Sequence, residues 1–177
     1  MNKREFGRAL GAAAIAPAIL AEAGDVAAAP ELSAIAKIRI RRPPSEVFTA
    51  FADAGAMSKF WFTRRDDGLR AGESVTWYLG SEGDAFSFDV YVKELSEPNK
   101  IVIEWENGEQ KTQVTWSITE TEEGDSILMI EESGFTGDTD AIIERALDST
   151  GGFNQVIIAA KALIEHGVAI NVVADHA

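Results

Sequence analysis

Few residues in this chain could do chemistry. Its 177 residues include no cysteine and only two histidines, His166 and His176, both near the C-terminus. Thiol catalysis, disulfide frameworks and thiolate metal sites are thereby excluded, and a histidine triad or zinc cluster is not expected. No nucleophile–base pair, phosphate-cradling loop or metal-ligand spacing occurs, so neither a cofactor nor a metal is expected. The polar residue that stands out is Glu132, which shares one face of an alternating segment with Leu128 and Ile130. If that face turns inward, its carboxyl group points toward the interior and could serve as an acid, a base or a hydrogen-bond partner for a ligand. The plainer reading is a strand-end glutamate that reaches water. Arg64, Arg65 and Arg70 follow an aromatic cluster and could hold an anionic headgroup, or simply line a solvated loop. His166 precedes Gly167, where a cation at a helix end is mildly favoured.

The aromatic residues are the larger resource. Trp77, Phe88, Trp105, Trp116 and Phe153, with Ile157, sit at positions that periodicity could turn inward, and Trp61 lies in the aromatic cluster Phe60-Trp61-Phe62,. They suit either plain core packing or the wall of a pocket for an apolar or amphipathic ligand.

Elements must position these side chains. Ala34 to Arg41 alternates Ala36, Ile38 and Ile40 against Lys37, Arg39 and Arg41, a half-buried strand,. Pro43 and Pro44 end it and open a helix whose stripe is Val47, Phe48, Phe51 and Ala52, and a second short helix runs from Ala54 to about Lys59,. Five further strands follow, carrying Val75/Trp77/Leu79, Phe86/Phe88/Val90/Val92, Ile101/Ile103/Trp105, Val114/Trp116/Ile118 and Leu128/Ile130/Glu132, with turn residues between them and Asn107-Gly108 as a hairpin signal. The end of the chain is helical. Ile142, Ile143, Ala146 and Leu147 form one stripe, Gly151-Gly152 predicts a break that Ser149 or Thr150 could cap, and Phe153, Val156, Ile157, Ala160, Leu163 and Ile164 continue to a Gly167 cap,. A one-face apolar sheet and a long amphipathic helix must bury those faces together, an α+β architecture.

The net charge is −13, which argues against a nucleic-acid partner, since phosphate contacts need bases,. Eight of the 13 Lys and Arg after residue 29 lie between Lys37 and Arg70, while Glu73 onward carries 21 acids and five bases. Residues 1–30 read as a signal peptide: Lys3, Arg4 and Arg8 precede the apolar run Leu10–Ala21 and Ala-x-Ala sites,. Lys3-Arg4-Glu5-Phe6-Gly7-Arg8 resembles a twin-arginine signal with lysine in the first place, so the route is twin-arginine-like or general secretory. The expected products are a periplasmic or secreted domain of residues 31–177 with no membrane span in the mature chain, or a cytoplasmic protein if the segment stays.

Pro43-Pro44-Ser45-Glu46-Val47-Phe48-Thr49-Ala50-Phe51, followed by Phe60-Trp61-Phe62, resembles the opening of the SRPBCC (START-like) superfamily. Its branch similar to the activator of the heat-shock-protein-90 ATPase is the nearest in pattern. Gly68-Leu69-Arg70-Ala71-Gly72-Glu73, Glu131-Glu132-Ser133-Gly134-Phe135, Asp148-Ser149-Thr150-Gly151-Gly152-Phe153 and Leu163-Ile164-Glu165-His166-Gly167 extend the likeness over about residues 34–173. The resemblance implies a helix-grip fold (START-like, Bet v-like): a curved antiparallel sheet around a long C-terminal helix, with two short helices after the first strand and an apolar cavity between. Chaperone activation is not expected, because the eponymous activator uses a separate N-terminal domain. The expected function is binding of a small apolar or amphipathic molecule. A cyclase- or hydratase-like enzyme using Glu132 and a protein-interaction module using the acidic sheet surface are the alternatives.

Overall fold

The computed structural model describes residues 31–64, 68–79, 86–107 and 110–174. The segment read as a signal peptide and the residue Arg65, as well as the Arg64 side chain, lie outside the described residues. Strand β1 (Ala34–Ile40) leads through Pro43 into α1 (Pro44–Ala52) and α2 (Ala54–Met57). Pro44 occupies the first turn of α1, where its missing N–H costs nothing,. Asp53 ends α1 and caps α2 by accepting from the Ala56 amide at 2.7 Å,. The meander comprises β3 (Ser74–Leu79), β4 (Phe86–Ser96), β5 (Lys100–Asn107), β6 (Gln110–Glu120) and β7 (Ser126–Ser133). It is preceded by β2 (Thr63–Arg64), a two-residue strand that sequence periodicity is too short to reveal. Every pairing is antiparallel, in the order β1-β7-β6-β5-β4-β3-β2. The first strand therefore closes against the last, and the sheet curves around the C-terminal helix α3 (Thr139–His166). This is the helix-grip fold.

The alternation places the expected residues on the inner face. Trp77 stands opposite Phe88, Val90 opposite Trp105, and Ile101 opposite Trp116. From the helix, Phe153, Val156, Ile157, Ala159 and Ala160 are buried in the same core. Helix α3 packs chiefly along β1, whose inner residues Ala34 and Ala36 are small enough for a helix to come close,.

Two expectations about α3 fail. It runs unbroken through Gly151 and Gly152. Neighbouring turns carry the backbone hydrogen bonds across, and the packed residues on its C-terminal side hold it down, which outweighs a glycine cost of about 1 kcal/mol each. The stripe Ile142, Ile143, Ala146 and Leu147 is not a core stripe, since of these four only Ala146 is buried and Leu147 is 66% exposed. The helix starts at Asp138, which accepts from the Ala141 amide at 2.9 Å, and ends at Gly167 with φ 69°,.

The far end of α3 is clamped to the end of β1. The Glu165 side chain is only 4% exposed. Its Oε1 accepts from the Arg41 amide at 2.6 Å and from the Lys161 ammonium, and Lys161 also donates to the Arg39 carbonyl at 2.7 Å. Burial pushes the Glu165 carboxyl up, but the Lys161 and Arg41 contacts outweigh it and hold it below the usual glutamate range,. A carboxyl depressed in the folded state stabilises fully above its unfolded value, about 4.3, and that contribution is lost as pH falls through the lower folded value. Glu165→Gln should cost about 1.5–3 kcal/mol at neutral pH. In urea melts, the gap between wild type and variant should close as pH is lowered below about 4. A gap that stays constant with pH would show that the charge on Glu165 is not what clamps the helix.

Candidate functional site

The aromatic residues converge where β3, β4 and β5 face the middle of α3. Trp61 is the hub. Its ring lies 4.8 Å from Phe62, 5.6 Å from Trp77, 6.0 Å from Trp105, and 6.1 Å from each of Trp116 and Phe153. Trp61, Trp77, Trp116, Phe153 and Ile157 are buried and packed within this cluster. Trp105 stacks on Phe153 with centroids 6.1 Å apart and planes 11° from parallel, but stays only half-buried, as does Phe88.

Those two residues reach a cleft of about 510 Å³. Phe62, Leu79, Phe86 and Phe88 wall it on the sheet side, with Trp105 beside them and Ser87 and Glu106 at their edge. Arg145, Asp148 and Ser149 of α3 face them. Phe86 is 67% exposed, a large apolar side chain left in water at the cleft mouth. Of the seven residues expected to touch a ligand, Phe88 and Trp105 line this cleft, and the other five lie in the packed cluster.

Glu132 turns inward and is 0% exposed. The β7 alternation puts it on the core face, and the register sets it between Val114 on β6 and the small Ala34 on β1. Thr112 lies two residues along β6 from Val114 and directly opposite Trp105 on β5. The three side chains meet. The indole N–H of Trp105 is shared between Thr112 Oγ1 at 2.9 Å and Glu132 Oε1 at 2.8 Å, and the Thr112 hydroxyl donates to the same Oε1. Burying polar groups costs free energy unless they are hydrogen-bonded, and this network serves the Trp105 N–H, the Thr112 hydroxyl and Glu132 Oε1 while fixing the Trp105 ring at the cleft wall,. Sequence reading missed Thr112. The signal was there, because Thr112 continues the alternation of Val114, Trp116 and Ile118 onto the inner face. Nothing in the sequence marks Arg145 or Asp148, whose place at the cleft comes from the packing of α3.

Arg70, read as a possible headgroup clamp, sits before β3 with its Nη1 3.9 Å from Glu73 Oε2. His166 is exposed at the end of α3, with Nε2 3.5 Å from Glu165 Oε2. Among the described residues no group of three or more His, Asp or Glu could hold a metal ion, and no helix is long and apolar enough to cross a membrane.

No curated protein sequence matches the chain. Solved structures match its fold. Protein SSP2350 from Staphylococcus saprophyticus superposes with a TM-score of 0.63 at 23% identity, over 79% of this chain and 96% of that one. The Aha1 dimer from Colwellia psychrerythraea gives 0.60 at 15% identity, over 77% and 98%. DynU16, from the dynemicin biosynthetic locus, gives 0.66 at 17% identity, over 79% of this chain and 49% of that one. At these identities the likeness speaks to the fold alone. The model of one sequence family, activator of Hsp90 ATPase homolog 1-like protein, matches residues 41–161, which span α1 through most of α3. The chain belongs to the family of activator of Hsp90 ATPase homolog 1-like proteins.

Proposed function

We propose that this domain binds a small apolar or amphipathic molecule in the cleft between the aromatic wall of β3–β5 and the N-terminal half of α3. The observation that carries the reading is the cleft's two-sided character. One side is built of aromatic and aliphatic side chains, including the exposed Phe86, and the other carries Arg145, Asp148 and Ser149. A soluble domain exposes a phenylalanine beside an open concavity at a cost, since apolar area left in water forfeits about 25 cal/mol per Å². Apolar clefts with a few placed polar groups are the usual form of small-molecule sites.

The test is a fluorescence titration with the neutral apolar probe N-phenylnaphthylamine, with native mass spectrometry for stoichiometry. One probe per chain should bind saturably. Phe86→Ser should weaken binding about fivefold, the effect of removing roughly 1 kcal/mol of apolar contact, without altering the melting temperature because the ring is exposed. Unsaturable binding, or unchanged affinity in Phe86→Ser, would remove the cleft from consideration.

A further inference from the structure

After α3 the chain turns at Gly167, and residues 168–174 run against the segment that joins α2 to β2. Val172 and Val173 pack on the core, whereas Val168 and Ile170 stay 50% and 42% exposed. One polar side chain fastens this strap. Asn171 Nδ2 donates to the Ser58 carbonyl at 2.9 Å and to the Trp61 carbonyl at 3.0 Å. Its Oδ1 accepts from the amides of Val173 at 3.1 Å and Ala174 at 2.9 Å. The Val172 amide adds a bond to the Phe60 carbonyl at 3.3 Å. Both amide hydrogens and both lone pairs of Asn171 are thus used, a set that no other side chain of that length carries.

The carbonyls it takes follow the last turn of α2, where a helix leaves acceptors that its own backbone cannot serve,. The segment so held is Phe60-Trp61-Phe62. Trp61 is the aromatic hub, with its ring 6.0 Å from Trp105, and both Phe62 and Trp105 line the cleft. Asn171 itself does not line the cleft, so its connection to it runs through the backbone it holds.

We propose that Asn171 is a positioning residue of the cleft. By fixing the backbone at Ser58 and Trp61 it sets the Trp61 and Phe62 rings, and through Trp61 the Trp105 wall, in the arrangement that binds. This rests on the cleft being a binding site, as proposed above. Walls already in place spare a ligand the cost of ordering them, so a loosened strap should lower affinity without any change in the lining residues.

The experiment compares Asn171→Asp and Asn171→Ala with Ile40→Ala in the full chain. The aspartate keeps the acceptor but loses the donor and sets a negative charge against two carbonyl oxygens. The alanine removes all four bonds without adding charge, and keeps the test decisive if the aspartate variant does not fold. Ile40 is buried at the end of β1, away from the strap and the cleft, so its truncation reports on lost stability alone. Each Asn171 variant should lower the melting temperature by about 3–9 °C, and Ile40→Ala by a similar amount or more.

Titration with N-phenylnaphthylamine, at a temperature where the melts show every variant folded, should separate them. The Asn171 variants should bind the probe about fivefold more weakly, while Ile40→Ala binds as the wild type does. All four tryptophans of the chain lie in the Trp61 cluster, so near-ultraviolet circular dichroism reads their arrangement directly. That spectrum should change in the Asn171 variants and persist in Ile40→Ala. Unchanged probe affinity or an unchanged spectrum in the folded Asn171 variants would overturn the inference, as would an equal loss of affinity in Ile40→Ala. In each of those cases saturable binding by the wild type leaves the cleft standing. If the wild type does not bind the probe, the cleft and its positioning residue fall together.

Discussion

Trp116→Ala is expected to destabilise the domain by about 3–5 kcal/mol, the range for emptying a fully packed large aromatic site. Trp116 is 2% exposed, its ring is 6.1 Å from both Phe51 and Trp61, and Ile101 and Ile130 stand opposite it on β5 and β7. It thus joins α1, the aromatic hub and the middle of the sheet. A domain of this size has about 5–15 kcal/mol in total, so the variant should melt far earlier in urea. Because Trp116 does not line the cleft, the molecules that remain folded should bind N-phenylnaphthylamine as the wild type does. The indole nitrogen of Trp116 has no hydrogen-bond partner among the described residues. Trp116→Phe should accordingly cost only the lost volume, about 1–2 kcal/mol. A loss below about 1 kcal/mol for Trp116→Ala would mean that the ring faces open space rather than a packed core.

Trp105 sets the opposite expectation for the same pair of substitutions. Its indole N–H serves Thr112 and Glu132, both buried. Trp105→Phe removes that donor as well as volume, and a buried acceptor that loses a partner costs about 1–3 kcal/mol. Trp105→Phe should therefore be worse than Trp116→Phe by roughly that amount, even though Trp105 is the less buried of the two,. Trp105→Ala should also lose its stack on Phe153 and one wall of the cleft, costing about 2–4 kcal/mol and abolishing probe binding,. The double variant Trp105→Phe/Glu132→Leu decides the cause. With the acceptor gone, the penalty for losing the donor should shrink, giving a coupling of about 1 kcal/mol or more in a double-mutant cycle. Equal losses for Trp105→Phe and Trp116→Phe, or zero coupling, would show that the indole–carboxyl contact contributes nothing.

Local chemistry in the sequence accounts for most of the elements. Alternation of period two in Val114-Thr115-Trp116-Ser117-Ile118 and the 3.6-residue spacing of Phe153, Val156, Ile157 and Ala160 each require a buried partner, and only packing one set on the other removes both from water. Pro43-Pro44, Asp53, Asp138 and Gly167 mark helix ends because a missing N–H, a side-chain acceptor or a positive φ acts over three or four residues. The inward face of Glu132 follows from the same parity, since it lies two and four residues from Ile130 and Leu128.

Tertiary structure alone decided the rest, wherever the deciding contact is distant in sequence. Whether Glu132 met water or protein depended on residues 20 and 27 positions away, Thr112 and Trp105. Ile143 and Leu147 have the right spacing for a core stripe, yet they are 43% and 66% exposed, and amphipathic spacing shows which side chains could be covered without showing what covers them,. The Gly151-Gly152 pair carries a strong local preference against helix, which the buried turns on its C-terminal side override. The cleft joins Phe62, just before β2, to β3, β4, β5 and α3. Sequence periodicity orients each of these elements about its own axis. Only the closing of β1 onto β7, with α3 laid along it, sets them at the distances that make the cleft.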